Sequence, residues 1–355
     1  MASPFKPSTP YTINPADPAH PLLFFQDEHA SLIDGLTIYT EANFKFPRSE
    51  FTDFLNRLHA LKKLVIHWKV LNWVHLRGGS PSSAQNFPLC LLRYFTGKRL
   101  CIEATTLASA VMPVFPAEGE TRRLGALTDF QIVGARNIRE FRTFIEWQTD
   151  KAYAFLQSVN SLRCNIHSRD DGAVPENVMI DLGSLLLKFG AVARRLEEFR
   201  FTDWQNTSFD GLQIARSDLV SLTSLKRLHL HFGASLKGNE KTMTTLNTSF
   251  RKWLFPFLSQ IPSPQILEIV DITFSFSISF PWPTDLHEWM ETFAKELDVM
   301  LDSRFPRLRT ANLTYDVRGA HTRPYDWTTF NTTLHPTKLH ARGVACVFKT
   351  QLYRP

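Results

Sequence analysis

The side chains best placed to do chemistry in this chain are arginines and histidines, and their spacing favours recognition over catalysis. His229 and His231 flank Leu230, so a strand would turn both imidazoles to one face. Arg163, His167, Arg200 and Arg227 fall at matching places in earlier stretches of the chain. Two imidazoles could begin a metal site, but no Cys or carboxylate cluster stands beside them to complete it. His67 is equivalent in place to His167, yet strands several units apart, at about 4.8 Å each, cannot share an ion. His287-Glu288 lacks the second histidine of a zinc-protease helix, and Asp170-Asp171-Gly172 lacks the rest of a calcium loop. The sequence contains no G-x-S-x-G, G-x-x-x-x-G-K-[ST], H-E-x-x-H or G-x-G-x-x-G run. Trp204, Trp253, Trp282 and Trp289 read as packing residues. The expectation is a chain with no catalytic residues, no metal and no cofactor.

The elements that must position these side chains come from a seven-letter phrase, apolar-x-x-apolar-x-apolar-x. It reads LKKLVIH from Leu61, LTDFQIV from Leu127, LEEFRFT from Leu196, LKRLHLH from Leu225, LEIVDIT from Leu267 and LRTANLT from Leu308. Weaker copies start at Ile33, Gly97 and Ser161, and ARGVACV from Ala341 reads as a last one. The steps run from 28 residues (33 to 61) to 42 (225 to 267). Period two within a phrase makes it a strand with an apolar and a polar face. Leu61, Leu64 and Ile66 point to the core, as do Leu225, Leu228 and Leu230. The outward letters include Lys63, Arg99, Asp129, Arg163, Glu198 and Arg227, then Gln131, Asn165, Arg200, His229, Asp271 and Asn312. A further set is His67, Glu103, His167, Thr202, His231 and Thr273.

Between phrases the spacing turns helical. Phe51, Phe54, Leu55 and Leu58 share one helix face. Leu286, Trp289, Met290, Phe293 and Leu297 share another, after a start marked by Pro283, Thr284 and Asp285. Helices are also expected over 138–158 and 178–192. Strands joined by helical crossovers lie parallel. The expected fold is α/β: an irregular leucine-rich-repeat-like solenoid, or horseshoe, with about nine or ten parallel strands on the concave side and helices on the convex side.

The L-x-x-L-x-L spacing resembles the leucine-rich repeat family from about residue 31 onward. Where that family continues to Asn or Cys, this chain has Lys69, Trp204, Gly233, Ser275 and Asp316, so an asparagine ladder is not expected. With SLKRLHLHF and FPRLRTANLTYD, the texture is similar to the repeat region of fungal F-box proteins. The resemblance implies substrate recognition in an F-box-type ubiquitin ligase, where an N-terminal F-box docks the Skp adaptor. No F-box opening is found here: PLLFFQDEH from Pro21 runs straight into the first repeat.

Composition sets the remaining bounds. The chain has 355 residues, 43% hydrophobic and 21% charged, with 29 Phe. Residues 1–30 read as a Pro-rich arm, with Pro4, Pro7, Pro10, Pro15, Pro18 and Pro21, and 31–355 as one repeat domain. The arm is expected to lack helix and to make few core contacts. Cys90, Cys101, Cys164 and Cys346 match no disulfide or metal spacing and read as reduced. Without an apolar run long enough for a membrane span or a secretory signal, the expected place is intracellular, cytoplasmic or nuclear. The net charge of +6 permits nucleic acid, but basic residues come in pairs mixed with acids.

The expected function is a non-enzymatic protein-interaction module. Its binding face is centred on Arg163, His167, Arg200, Arg227, His229 and His231, and its partner is an acidic or phosphorylated protein segment. The alternatives are a basic nucleic-acid-associated protein and an enzyme on an unrecognised α/β fold. Binding should tighten as pH falls from about 7.5 to 6. Replacing Arg163, Arg200 and Arg227 by Ala should abolish capture without unfolding, since none is a core letter.

Overall fold

The structure, a computed structural model, describes residues 11–13, 33–40, 57–58, 61–68, 71–72, 99–104, 107–108, 128–135, 159–166, 195–203, 222–237, 251–279, 285–319 and 333–353. The helices expected over 138–158 and 178–192, and His167, lie outside these residues. Two compact units divide the chain, Met1–Cys164 and Asn165–Pro355.

In the first unit, parallel strands follow chain order: β1 (Tyr11–Ile13), β2 (Gly35–Thr40), β3 (Lys63–Trp68), β5 (Arg99–Ala104) and β7 (Asp129–Ala135). Two-residue strands β4 (Leu71–Asn72) and β6 (Leu107–Ala108) form a separate parallel pair. The arm is less free than its prolines suggest. Tyr11, Thr12 and Ile13 pair with Leu36, Thr37 and Ile38. Pro10 and Pro15 bracket that strand, as suits residues confined to strand ends and sheet edges. β8 (Ser161–Ile166) carries the division between the units.

The second unit aligns β9 (Glu198–Asp203), β10 (Arg227–Lys237), β11 (Ile269–Ser279), β12 (Thr310–Gly319) and β14 (Ala345–Tyr353), again parallel and in chain order. β13 (Thr333–Leu334) pairs antiparallel with Lys349 and Phe348 of β14, an edge addition that the repeat does not announce. Its helices are α1 (Lys252–Gln260), α2 (Leu286–Arg304) and α3 (Thr337–Ala341).

The phrase is also a backbone device. Its second residue offers a carbonyl that takes two N–H groups from the next phrase. Asp34 O accepts from Lys62 and Lys63, Thr128 O from Asn160 and Ser161, and Glu197 O from Lys226 and Arg227. Lys226 O accepts from Glu268 and Ile269, and Glu268 O from Arg309 and Thr310, at 2.8–3.1 Å. A carbonyl has two lone pairs, so each step is fully satisfied without an asparagine side chain. The same ladder corrects two frames. Asn160 and Ser161 stand where second and third letters belong, so that copy begins at Val159, not Ser161. Ala345 pairs with Thr310, so the last copy begins at Gly343, not Ala341. Gly343 ends α3 at φ 82°, with Gly343 N–H on His340 O and Val344 N–H on Leu339 O. That left-handed cap needs glycine, which is why the first letter is not apolar there.

Alternate residues of β10, β11, β12 and β14 build apolar columns. Leu230, Ile272, Leu313 and Phe348 are in register, as are Phe232, Phe274, Tyr315 and Thr350. Leu286, Trp289, Met290, Phe293, Leu297 and Leu301 are the buried stripe of α2. Trp289 and Phe293 meet Phe274 edge-on, at 6.2 and 5.4 Å, and Tyr315 donates its hydroxyl to Met290 O at 3.1 Å. Burial pushes the Tyr315 phenol well above its ordinary pKa, with Arg251 opposing, so it stays a neutral donor. The carboxylate of Asp298 accepts Lys338 N–H and Leu339 N–H at 2.8 and 3.0 Å and holds the start of α3. α1 was not legible, because Pro256 sits inside it and removes one of its hydrogen bonds. No described helix is long and apolar enough to cross a membrane.

Candidate functional site

The opposite face of the second unit's strands is polar, and its side chains are ordered by two carboxylates. Register places Glu198 against Arg227, and Arg200 against His229 and Asp271, with Asn312 beyond. Period two puts all of these on the face away from the phenylalanine columns.

Glu198 is the centre of the cluster. It is only 6% exposed although it belongs to the outward set. Arg200 Nε–H donates to its Oε1, and Arg227 Nη2 lies 3.1 Å from its Oε2. Burial would raise the Glu198 carboxyl. The Arg200 hydrogen bond and the charges of Arg200, Arg227 and His229 outweigh it, and the pKa falls below its ordinary value. A carboxylate so surrounded stays ionised.

Asp271 is the second anchor. Its Oδ2 lies 2.6 Å from His229 Nδ1, and its Oδ1 accepts Asn312 Nδ2–H at 2.6 Å. Burial raises its carboxyl, while His229, Asn312 and Arg200 bring it below its ordinary value. His229 Nε2 is buried, makes no hydrogen bond, and faces Glu198 Oε1 at 3.7 Å. The imidazole thus stands between two carboxylates.

His231 lies one outward row further along β10 and joins a different chain. Its Nε2 is 2.8 Å from Ser275 Oγ, and Ser275 Oγ–H donates to Asp316 Oδ2 at 3.4 Å. Burial lowers the His231 pKa, Asp316 opposes, and Arg318 adds to the lowering. In a nucleophilic triad the histidine sits between serine and carboxylate. Here serine is the middle member and gives its proton to the carboxylate, which suits a hydrogen-bond relay across three strands. Among the described residues, no group of three or more His, Cys, Asp or Glu could hold a metal ion.

Of the six residues expected to bind a partner, the structure gathers Arg200, Arg227 and His229 about Glu198, with His231 on the next row. Arg163 is half-buried on β8, in the first unit, and His167 lies outside the described residues. The expected cationic patch is an internally paired one. Its positive groups are held by Glu198 and Asp271, residues that sequence reasoning counted as outward letters without a role. The signal for them was available: a carboxylate in one phrase opposite a basic residue in the next. The second letters show it plainly, since Asp34 meets Lys62, Glu197 meets Lys226 and Glu268 meets Arg309, at 3.8, 3.1 and 4.0 Å. Such exposed pairs add little stability but oppose register slips. No protein-family model and no curated protein matches the chain.

Proposed function

We propose that the chain is a non-enzymatic protein-interaction module, an irregular leucine-rich-repeat-like solenoid whose polar strand face docks a protein partner. One observation carries the reading. In the second unit α2 packs on one face of the strands, while the other bears half-exposed, mutually oriented charged groups in register. A strand face kept in fixed geometry without a helix over it is suited to meet another molecule. The resemblance to F-box repeat regions suggests the setting: substrate recognition for a ubiquitin ligase.

The test blocks one face at a time. Thr273 is a half-buried outward residue of β11, and Val299 is an exposed residue of α2. Full-length wild type, Thr273→Trp and Val299→Trp are used to retrieve partners, with thermal unfolding checked for each. Thr273→Trp should lose partners that Val299→Trp keeps. The reverse pattern rules out the strand face. Recovery of a Skp adaptor would tie the chain to a ubiquitin ligase; partners without it would leave the module outside one.

A further inference from the structure

We propose that Arg200 and Arg227 form a clamp for one phosphate group, set by Glu198, and that the ligand is a single phosphoserine or phosphothreonine on a segment with no further negative charge. This rests on the docking-face reading above and names the chemistry of the partner.

The geometry separates the two signs of charge by depth. The Glu198 side chain is 8% exposed, while those of Arg200 and Arg227 are 39% and 45% exposed. The carboxylate lies beneath and the guanidiniums lie at the surface. Glu198 engages one nitrogen of each, Nε of Arg200 and Nη2 of Arg227. A guanidinium carries five N–H donors, so most of both forks stays available. Two arginines against one glutamate leave one positive charge (2 − 1 = 1) over a cluster of forward-facing donors. A phosphate monoester, with about two negative charges and three acceptor oxygens, answers this better than a carboxylate does.

The neighbourhood limits what else the ligand can carry. Asp271 stands one strand beyond Arg227, and Asp316 one strand beyond Asp271. Strands lie about 4.8 Å apart, whereas duplex DNA places a charge about every 1.7 Å of its axis. A polyanion laid on this face would set phosphates over carboxylates. An isolated phosphate on a neutral or basic peptide would not. Glu198 is a positioning residue in this scheme: it holds both forks in place and, being buried, costs the ligand little repulsion.

Glu198 also makes the idea easy to break. Long-range charge alone predicts that Glu198→Gln, which removes a negative charge, tightens anion binding. Positioning predicts the opposite. The full-length chain is tested against a pool of short peptides each bearing one central phosphoserine, the same pool with serine, and a 20-nucleotide single strand. Wild type should retain the phosphorylated pool about tenfold or more over the serine pool, with Glu198→Gln lowering that retention about tenfold. Tighter or unchanged retention by Glu198→Gln overturns the positioning. Equal retention of both pools, with Thr273→Trp still losing partners, overturns the clamp and leaves the docking face. Retention of the oligonucleotide with a steep salt dependence overturns the clamp in favour of nucleic acid. If Glu198→Gln does not fold, Arg200→Lys with Arg227→Lys carries the test, since lysine keeps the charge and loses the fork. About a tenfold loss is expected there, and undiminished binding overturns the proposal.

Discussion

β10, β11 and β12 each have two faces, and both bury side chains, but by different means. Phe232, Phe274 and Tyr315 are 0% exposed, and Phe274 and Tyr315 pack against α2. Glu198, on the other face, is 6% exposed beside Trp289 at 4%, yet basic side chains cover it. Depth of burial does not separate the faces; what covers each residue does. The apolar face gains from every neighbour it acquires. The polar face holds together only while charges are matched, because a buried carboxylate without its partners is costly. The first face carries stability and the second carries recognition, and substitutions on each should fail differently.

The largest effect belongs to the apolar face. Phe274 stacks or crosses with Phe232, Phe276, Trp289, Phe293 and Tyr315. Phe274→Ala should cost about 3–5 kcal/mol, measured by denaturant unfolding. A loss below about 1 kcal/mol would mean that the site collapses around the gap and that this face is not the main store of stability.

How much of this was legible follows from parity. Leu225, Leu228 and Leu230 are buried as the phrase requires, because alternation alone fixes which face a residue takes. The same alternation cannot see a shift of two residues. The copies at Ser161 and Ala341 were therefore misplaced while their faces came out right. The start of α2 was legible from Asp285 and the stripe after it, but α1 was hidden by Pro256. Glu198 could not be read as buried, because that depends on Arg227 standing opposite it across a strand pair. Register across strands is set by the loops and helices between phrases, and their unequal lengths hide it in the sequence.

The middle effect tests the charge matching. Sequence reasoning expects Arg200 and Arg227 to be replaceable by Ala without harm, since neither is a core letter. The structure changes that expectation, because their loss leaves Glu198 buried and unpaired. Arg200→Ala with Arg227→Ala should cost about 1–3 kcal/mol, and adding Glu198→Gln should restore most of it. The partial exposure of both arginines keeps the figure at this modest level. Equal stability of the double variant and wild type would show that solvent replaces the arginines and that the polar face is not charge-matched.

The smallest effect is a pH dependence placed by His231. Burial holds its pKa below the ordinary 6.5, against the pull of Asp316 and with the help of Arg318. The folded chain therefore prefers neutral His231 more than the unfolded chain does. Stability is intact above about 6.5 and falls as pH drops through that value toward the lower folded one. Glu198 and Asp271 act in a separate window. Their folded pKa values lie below the ordinary 4.5 and 3.8, so their contribution persists above those values and is lost only in stronger acid. Between pH 7.5 and 5.5 wild type should lose less than about 1 kcal/mol, since half-exposed groups are screened. His231→Gln should flatten that slope while leaving the steeper loss below pH 4.5 in place. The same lowering bears on binding: His231 takes up its charge at lower pH than an ordinary histidine, and a phosphate monoester begins to lose its second charge near pH 6. Tightening between pH 7.5 and 6 should therefore be weaker than unperturbed histidines would give. If His231→Gln unfolds with the wild-type slope between pH 7.5 and 5.5, the relay through Ser275 is not what titrates, and the polar face responds to pH elsewhere.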